Sequence, residues 1–222
     1  MKKILLFVMM SLTLASCGPQ IYQAPSFTQV SASHQVVAIL PFDVTIESRR
    51  LPKGVTAQMI LDQQSDYGYG IQSDVYGYLL REMSKDRYTV RFQDVSKTNA
   101  LLNDAGLTYE ELRLKSKEEI CDLLGVDAVV SGQAIMSKPM SDGAAIAVGL
   151  LVGAWGATNS VNTTITIHEG NAGELMWKYD YVASGSVGSS RQSLTNALMR
   201  NSSKKFPYKK KTTEVGSPCP QT

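Results

Sequence analysis

Histidine is nearly missing from this chain: 222 residues hold two, beside three cysteines and two tryptophans. His34 lies in a polar stretch near the start and His168 stands beside Glu169 in an alternating run. Neither has further ligands at zinc spacing, and no nucleophile elbow occurs. General acid and base catalysis draws on groups this chain scarcely has, so we read it as not an enzyme, with His168 and Glu169 the one pair left to consider. No cofactor pattern is complete either. Asp66-Tyr67-Gly68-Tyr69-Gly70 carries two glycines of a dinucleotide fingerprint but lacks the preceding strand and the third glycine. An excess of one charge is absent too, since 22 Lys+Arg stand against 20 Asp+Glu, which excludes the basic balance of a nucleic-acid binder. Beyond the amino terminus no apolar run reaches the about 20 residues of a spanning helix. An apolar content of 43% excludes disorder, and the length allows one domain with appendages and a sizeable core.

What is present begins with an address. Met1-Lys2-Lys3 is basic, Ile4 to Leu14 is apolar, and Leu14-Ala15-Ser16-Cys17 is a run of small residues ending in cysteine. This resembles the bacterial lipoprotein signal. The resemblance implies that residues 1–16 are removed and that Cys17 is acylated on its thiol and its new amino group. Several acyl chains, at about 0.8 kcal/mol per buried methylene, hold a protein on a bilayer stably. Loss of Lys2 and Lys3 leaves cations and acids balanced in the mature chain. Gly18 follows Cys17 where an aspartate would signal inner-membrane retention, and no acidic run follows, so the resemblance implies a periplasm-facing place on the outer membrane. The periplasm is oxidising, and Cys121 and Cys219 either pair there or stand as one buried and one tail thiol.

Residues 17–34, with Pro19, Pro25 and scattered Ser and Gln, read as a lipidated tether. A single α/β domain follows over 35–206. Val36 to Leu40, closed by Pro41, reads as a strand buried on both faces. Residues 43–66 read as a long loop, with a short helical piece near 55–62. Ile71, Val75, Tyr78, Leu79 and Met83 predict a helix over about 70–85, and Tyr88 to Phe92 a second strand. Helical stretches around Leu101-Leu102 and Tyr109 to Leu114 precede a capping box at Ser116-Lys117-Glu118-Glu119, a helix ended by Gly125, and a strand from Ala128 to Met136. Residues 161–169 alternate, Gly170 to Gly173 turn, Leu175 to Ser186 return as a strand, and Ser190 to Phe206 form a last helix. The order β-α-β-α-β-β-β-α predicts an α/β fold with a mixed β-sheet flanked by helices. Residues 207–222 read as a basic disordered tail.

Three features suggest contact surfaces. Tyr67, Tyr69 and Tyr76 cluster before and within the first long helix, and tyrosine is enriched at interfaces because a large rigid ring carries a polar tip. Ala144 to Ala157 are fourteen uncharged residues inside an insertion spanning 141–158; Gly149 and Gly153 form a G-x-x-x-G pair beside Trp155. Such a run docks on the domain, makes a subunit contact or dips into the membrane. Arg200, Lys204, Lys205, Lys209, Lys210 and Lys211 precede any acid in the carboxyl-terminal stretch, as a solvated end or as a contact for anionic phospholipid.

The segments Val37-Ala38-Ile39-Leu40-Pro41-Phe42, Gly125-Val126-Asp127-Ala128-Val129-Val130-Ser131-Gly132 and Gly173-Glu174-Leu175-Met176-Trp177 together resemble a superfamily of envelope proteins. It includes the curli-secretion lipoprotein, the amino-terminal domain of the TolB translocation protein, the lipoprotein activators of penicillin-binding proteins and the GNA-type lipoproteins. The resemblance spans roughly residues 35–206. It implies a sheet-and-helix domain like an anticodon-binding domain, no catalysis, no cofactor, and a role built on contacts with envelope proteins or, alternatively, on a homo-oligomeric ring of a secretion apparatus. Cys17→Ser is expected to abolish incorporation of labelled fatty acid into the chain in cells; label retained at the wild-type level would show that the anchor lies elsewhere.

Overall fold

The computed structural model describes residues 20–47, 54–137, 160–184 and 190–210. Cys17, Cys219, Gly149, Gly153, Trp155 and the insertion at 141–158 lie outside the described residues, and with them the question of a Cys121–Cys219 bond.

The elements in chain order are β1 (Ile21–Gln23), α1 (Phe27–Val30), β2 (Val36–Ile39), β3 (Asp43–Glu47), α2 (Ala57–Met83), β4 (Arg91–Phe92), α3 (Val95–Asp104), α4 (Tyr109–Leu114), α5 (Lys117–Leu124), β5 (Ala128–Ser137), β6 (Ser160–Glu169), β7 (Leu175–Ser184) and α6 (Arg191–Ser202). The seven strands make one mixed sheet in the order β1-β7-β6-β5-β2-β4, with β3 also on β5. The β1, β7, β6 and β5 neighbours are antiparallel, whereas β2 and β3 run parallel to β5 and β4 parallel to β2. The expected class, a mixed sheet flanked by helices, is the one observed.

Side-chain alternation divides the sheet into two faces. Val161, Thr163, Ile165 and Ile167 of β6 are buried on one face with Trp177, Tyr179 and Ala183 of β7. Ile71, Val75 and Leu79 of α2 and Leu194, Leu198 and Met199 of α6 complete that core. On the other face, Leu102, Leu112, Ile120 and Leu124 of α3 to α5 form a second core with Ala38, Leu40 and Val129. The segment from Val37 to Leu40 is therefore covered on both sides, which is why it is apolar without alternation. Beyond Val129 this second helix layer stops, and Gln133, Asn162, Thr164, Lys178 and Asp180 line a polar face of β5, β6 and β7.

The edge of β5 carries β2 and β3 end to end, and the break between them decides the local packing. Ile39 pairs with Val130 and Asp43 with Gln133, so Leu40, Pro41 and Phe42 stand opposite only Ser131 and Gly132. Pro41 has no N–H to give a ladder, and the groups beside it find other partners. Gln72 of α2 donates to the Ile39 carbonyl at 2.7 Å. The Phe42 N–H donates to the Gly68 carbonyl at 3.1 Å. The Tyr109 hydroxyl donates to the Phe42 carbonyl at 2.6 Å and accepts the Val44 N–H at 2.8 Å. Glycine is required on both sides of this junction: a Cβ at Gly68 would lie 2.4 Å from the Phe42 oxygen, and one at Gly132 would lie 2.2 Å from the Phe42 ring.

Three expectations are corrected. The tether is short, because β1 pairs with β7 (Ile21 with Tyr179), Ala24 and Phe27 are buried, and His34 bonds Tyr208 at 2.7 Å. The stretch read as a loop holds β3 and the first half of α2, whose amino terminus is capped by the Thr56 hydroxyl accepting from Met59. The first residues of the basic tail belong to the fold, with Tyr208 buried and Lys209 bridging to Tyr88. By contrast, the capping box at Ser116 and the helix-ending Gly125 stand where they were expected, and the last helix starts at its expected place with Ser190 as its cap.

Tyr109→Phe leaves the Val44 N–H and the Phe42 carbonyl without their shared partner and is expected to destabilise the domain by about 1–3 kcal/mol. Gly68→Ala is expected to cost at least as much, because backbone must shift to admit the Cβ. Urea midpoints of the two variants check both values.

Candidate functional site

The sequence-predicted tyrosines do not make one surface. All three ride on α2, at spacings that send them around the helix: Tyr67 is buried in the main core, whereas Tyr69 and Tyr76 are half-buried. Tyr69 leans on the Tyr109 ring at 6.0 Å between centroids, and Tyr76 donates to the Asp94 carboxylate at 3.2 Å. Tyr78, in the same stretch, bonds Ser203 at 3.0 Å. The two glycines of the incomplete fingerprint are packing glycines, since Gly68 admits Tyr109 and Phe42 and Gly70 leaves room for the Arg191 guanidinium that pairs with Asp74 at 2.9 Å.

His168 and Glu169 do not form an acid and base pair. Successive residues of a strand face opposite ways, and each is committed elsewhere. The Glu169 carboxylate accepts the N–H groups of Asn171 and Ala172 at 2.8 and 2.7 Å, closing the β6–β7 turn, and these bonds hold its carboxyl below the usual range against the pull of burial. His168 lies on the α5 side, where burial and the nearby Lys117 ammonium push its imidazole down to about 4. Cys121 is buried on α5, and burial pushes its thiol up to about 12, far from a thiolate at neutral pH. His34 is likewise held below its ordinary value by burial, although Asp127 and Glu169 oppose the shift. Among the described residues no group of three or more His, Cys, Asp or Glu stands where it could hold a metal ion.

A cleft of about 310 Å³ opens where α4 and α5 end over the polar sheet face. Its walls include Pro41 and Tyr109 from the β2–β3 junction, Arg113 and Lys117 from the helices, and Ser131, Thr164, Thr166 and Lys178 from the sheet. Arg113 pairs with Asp43 at 2.9 Å and Lys178 with Asp180 at 3.0 Å. Thr164 donates to Asp180 at 2.7 Å, and the Ser131 and Thr166 hydroxyls share a bond of 2.9 Å. Burial draws the Lys117 ammonium below its ordinary value, with Asp43 opposing. The arrangement brings hydroxyls together with cations, of which Arg113 and Lys178 are paired with the carboxylates of Asp43 and Asp180. Sequence reading missed this cleft because Arg113, Lys117 and Lys178 meet only through the fold; the visible signal was the run of polar alternate positions on β6, Asn162, Thr164 and Thr166.

No family model matches the chain, and no curated protein does. Solved structures share its layout at low identity. Lipoprotein GNA1162 from Neisseria meningitidis is 11% identical with a TM-score of 0.45, over 77% of this chain and 95% of that one. The PelC dodecamer from Paraburkholderia phytofirmans is 11% identical with a TM-score of 0.41, over 83% and 92%. The C-terminal domain of LpoB from Salmonella enterica is 11% identical with a TM-score of 0.36, over 72% and 93%. A GNA-type lipoprotein is thus among the proteins this chain is similar to, and at these scores the likeness assigns no activity.

The two histidines set an acid limit. The unfolded chain takes up protons on its imidazoles as pH falls through about 6.5, whereas the folded chain keeps His168 neutral until about 4. Stability is therefore expected to fall between pH 6.5 and 4, by about 1–2 kcal/mol for His168 once its partial exposure is discounted. His34 acts in the same direction. Urea midpoints at pH 7 and pH 4.5 check this, and His168→Gln is expected to lessen the difference.

Proposed function

We propose that this chain is a non-enzymatic, lipid-anchored protein of the bacterial cell envelope, periplasm-facing on the outer membrane, acting through protein contacts in envelope assembly or maintenance. The observation that carries the reading is the spacing of two features: Leu14-Ala15-Ser16-Cys17 ends four residues before β1 begins at Ile21. A lipid at Cys17 leaves almost no tether and holds the folded domain against the bilayer. Among the described residues no helix is long and apolar enough to cross a membrane. Acyl chains on Cys17 would supply the attachment. The polar cleft between Arg113, Lys117 and Lys178 is the surface offered to a partner. The commitment of His168, Glu169 and Cys121 to packing and turn closure supports a binding role over a catalytic one.

A ring of identical subunits is the second reading, favoured by the uncharged segment 144–157 with Gly149, Gly153 and Trp155, where small residues four apart permit close approach. Photo-cross-linking in cells from Gln133 and Lys178, which face the open sheet, is expected to trap discrete adducts with another envelope protein. Absence of adducts from membrane-fractionated chain would contradict the first reading. Light scattering of the detergent-extracted chain with and without residues 143–157 separates the second, since a large discrete oligomer that collapses on deletion is the ring's signature and an unchanged monomer removes it.

A further inference from the structure

The register of the sheet fixes which end of the domain meets the membrane. Ser137, Ser160 and Ser184 stand in one row across β5, β6 and β7, at one end of the sheet. Followed backward from Gln23 to Ile21, β1 travels along β7 from Trp177 to Tyr179, toward that same row. The Asp180 N–H donates to the Gln20 carbonyl at 3.1 Å, so the chain still points there at the last described residue before the anchor. Cys17 is three residues further back, and a fully extended chain of that length reaches about 11 Å. Ser137 ends β5 and Ser160 begins β6 at this row.

Val182, two residues from Ser184, is 66% exposed on the polar face of β7. Ile21 and Tyr22 of β1, opposite Tyr179 and Lys178, stand further from the row, near the middle of the sheet. Glu47, opposite Ser137, is the charged residue in that register. The other end of the sheet, where Val36 pairs with Arg91 and Ala128 with Glu169, carries charges of both signs. Lys209 bridges to Tyr88, the Lys210 N–H donates to the Arg87 carbonyl, and Lys210 pairs with Asp86 at 2.6 Å. Ten residues of extended strand separate the two ends, about 30 Å, several times the screening length of about 8 Å at physiological salt.

We infer that the domain stands end-on to the bilayer that holds Cys17, with Val182 and the Ser137–Ser160–Ser184 row against the lipid and the end that carries Lys209 and Lys210 about 30 Å away from it. This rests on the acylation of Cys17 proposed above. The stretch at Lys209 and Lys210 then faces away from its own membrane and not toward the phospholipid beside the anchor.

The test uses the full mature chain carrying Cys219→Ser, inserted in vesicles of phosphatidylethanolamine and phosphatidylglycerol that contain a nitroxide lipid. A fluorophore is placed at Val182→Cys or at Lys209→Cys, both at exposed positions, while the buried Cys121, with its thiol pushed up to about 12, stays unlabelled. Quenching at position 182 is expected to exceed that at position 209 by at least about three-fold, because lipid-borne quenching is lost across a sheet about 30 Å long. Equal quenching, or stronger quenching at 209, in chains that float with the vesicles overturns the orientation and leaves the anchor standing. A label at 182 shielded from both lipid and aqueous quenchers shows that a second copy or another protein covers it, and overturns the inference too. Chains that do not float overturn the anchor itself. Glu47→Cys, at an exposed position opposite Ser137 and labelled in the same way, repeats the test if Val182→Cys fails to fold.

Discussion

The hydroxyl of Tyr109, bonded both to the Phe42 carbonyl and to the Val44 N–H, holds together the break between β2 and β3 alongside β5. Proline at 41 makes the break, and the sheet cannot close it from its own backbone. Every neighbour is drawn to this point: Gln72 covers the Ile39 carbonyl, Gly68 brings α2 within hydrogen-bonding distance of Phe42, and Gly132 leaves the space under the Phe42 ring. Burial pushes the Tyr109 hydroxyl up to about 12, so it keeps its proton and can donate and accept at once.

The same junction sets the border between the covered and uncovered parts of the sheet. Tyr109 begins α4, and α4 and α5 lie over Leu40 and Val129 but reach no further, which leaves the polar side chains of β5, β6 and β7 in the open. The cleft is the step between those two regions. Its cations come from the helix layer and from β7, and its hydroxyls from β5 and β6. The chain's entry through β1 adds an edge strand to the opposite side, within a few residues of Cys17. With the lipid proposed at Cys17, so short a connection would leave the domain little freedom to reorient, and the direction of the strands would set which end meets the membrane.

Much of this was legible where one physical signal stood alone. The alternation of Val161, Thr163, Ile165 and Ile167 named the buried face of β6, and the Ser116–Glu119 box with Gly125 named both ends of α5. The unbroken apolar run at Val36 to Leu40 named a strand covered twice. Where two signals competed, reading failed. Gly68 and Gly70 speak against a helix by propensity, and the packing of Phe42, Tyr109 and Arg191 against α2 overrides them. Asp43 to Glu47 alternates, but Pro41 and Pro52 on either side argued for a loop. Ile21 to Gln23 is too short to show a period, and only its pairing with Trp177 to Tyr179 makes it a strand. Of the candidate site, the tyrosines were visible as residues but not as directions, and the cleft's cations are separated by up to 65 positions along the chain, from Arg113 to Lys178.

The proposed anchoring and orientation both require Cys17 to be the first residue of the mature chain and its lipid attachment point. Mass spectrometry of the amino-terminal peptide from membrane-extracted protein tests this most directly. The prediction is a peptide that begins at Cys17 and carries the added mass of acyl chains on the thiol and the amino group. A mature chain that retains residues 1–16, or that begins elsewhere with an unmodified Cys17, would contradict it.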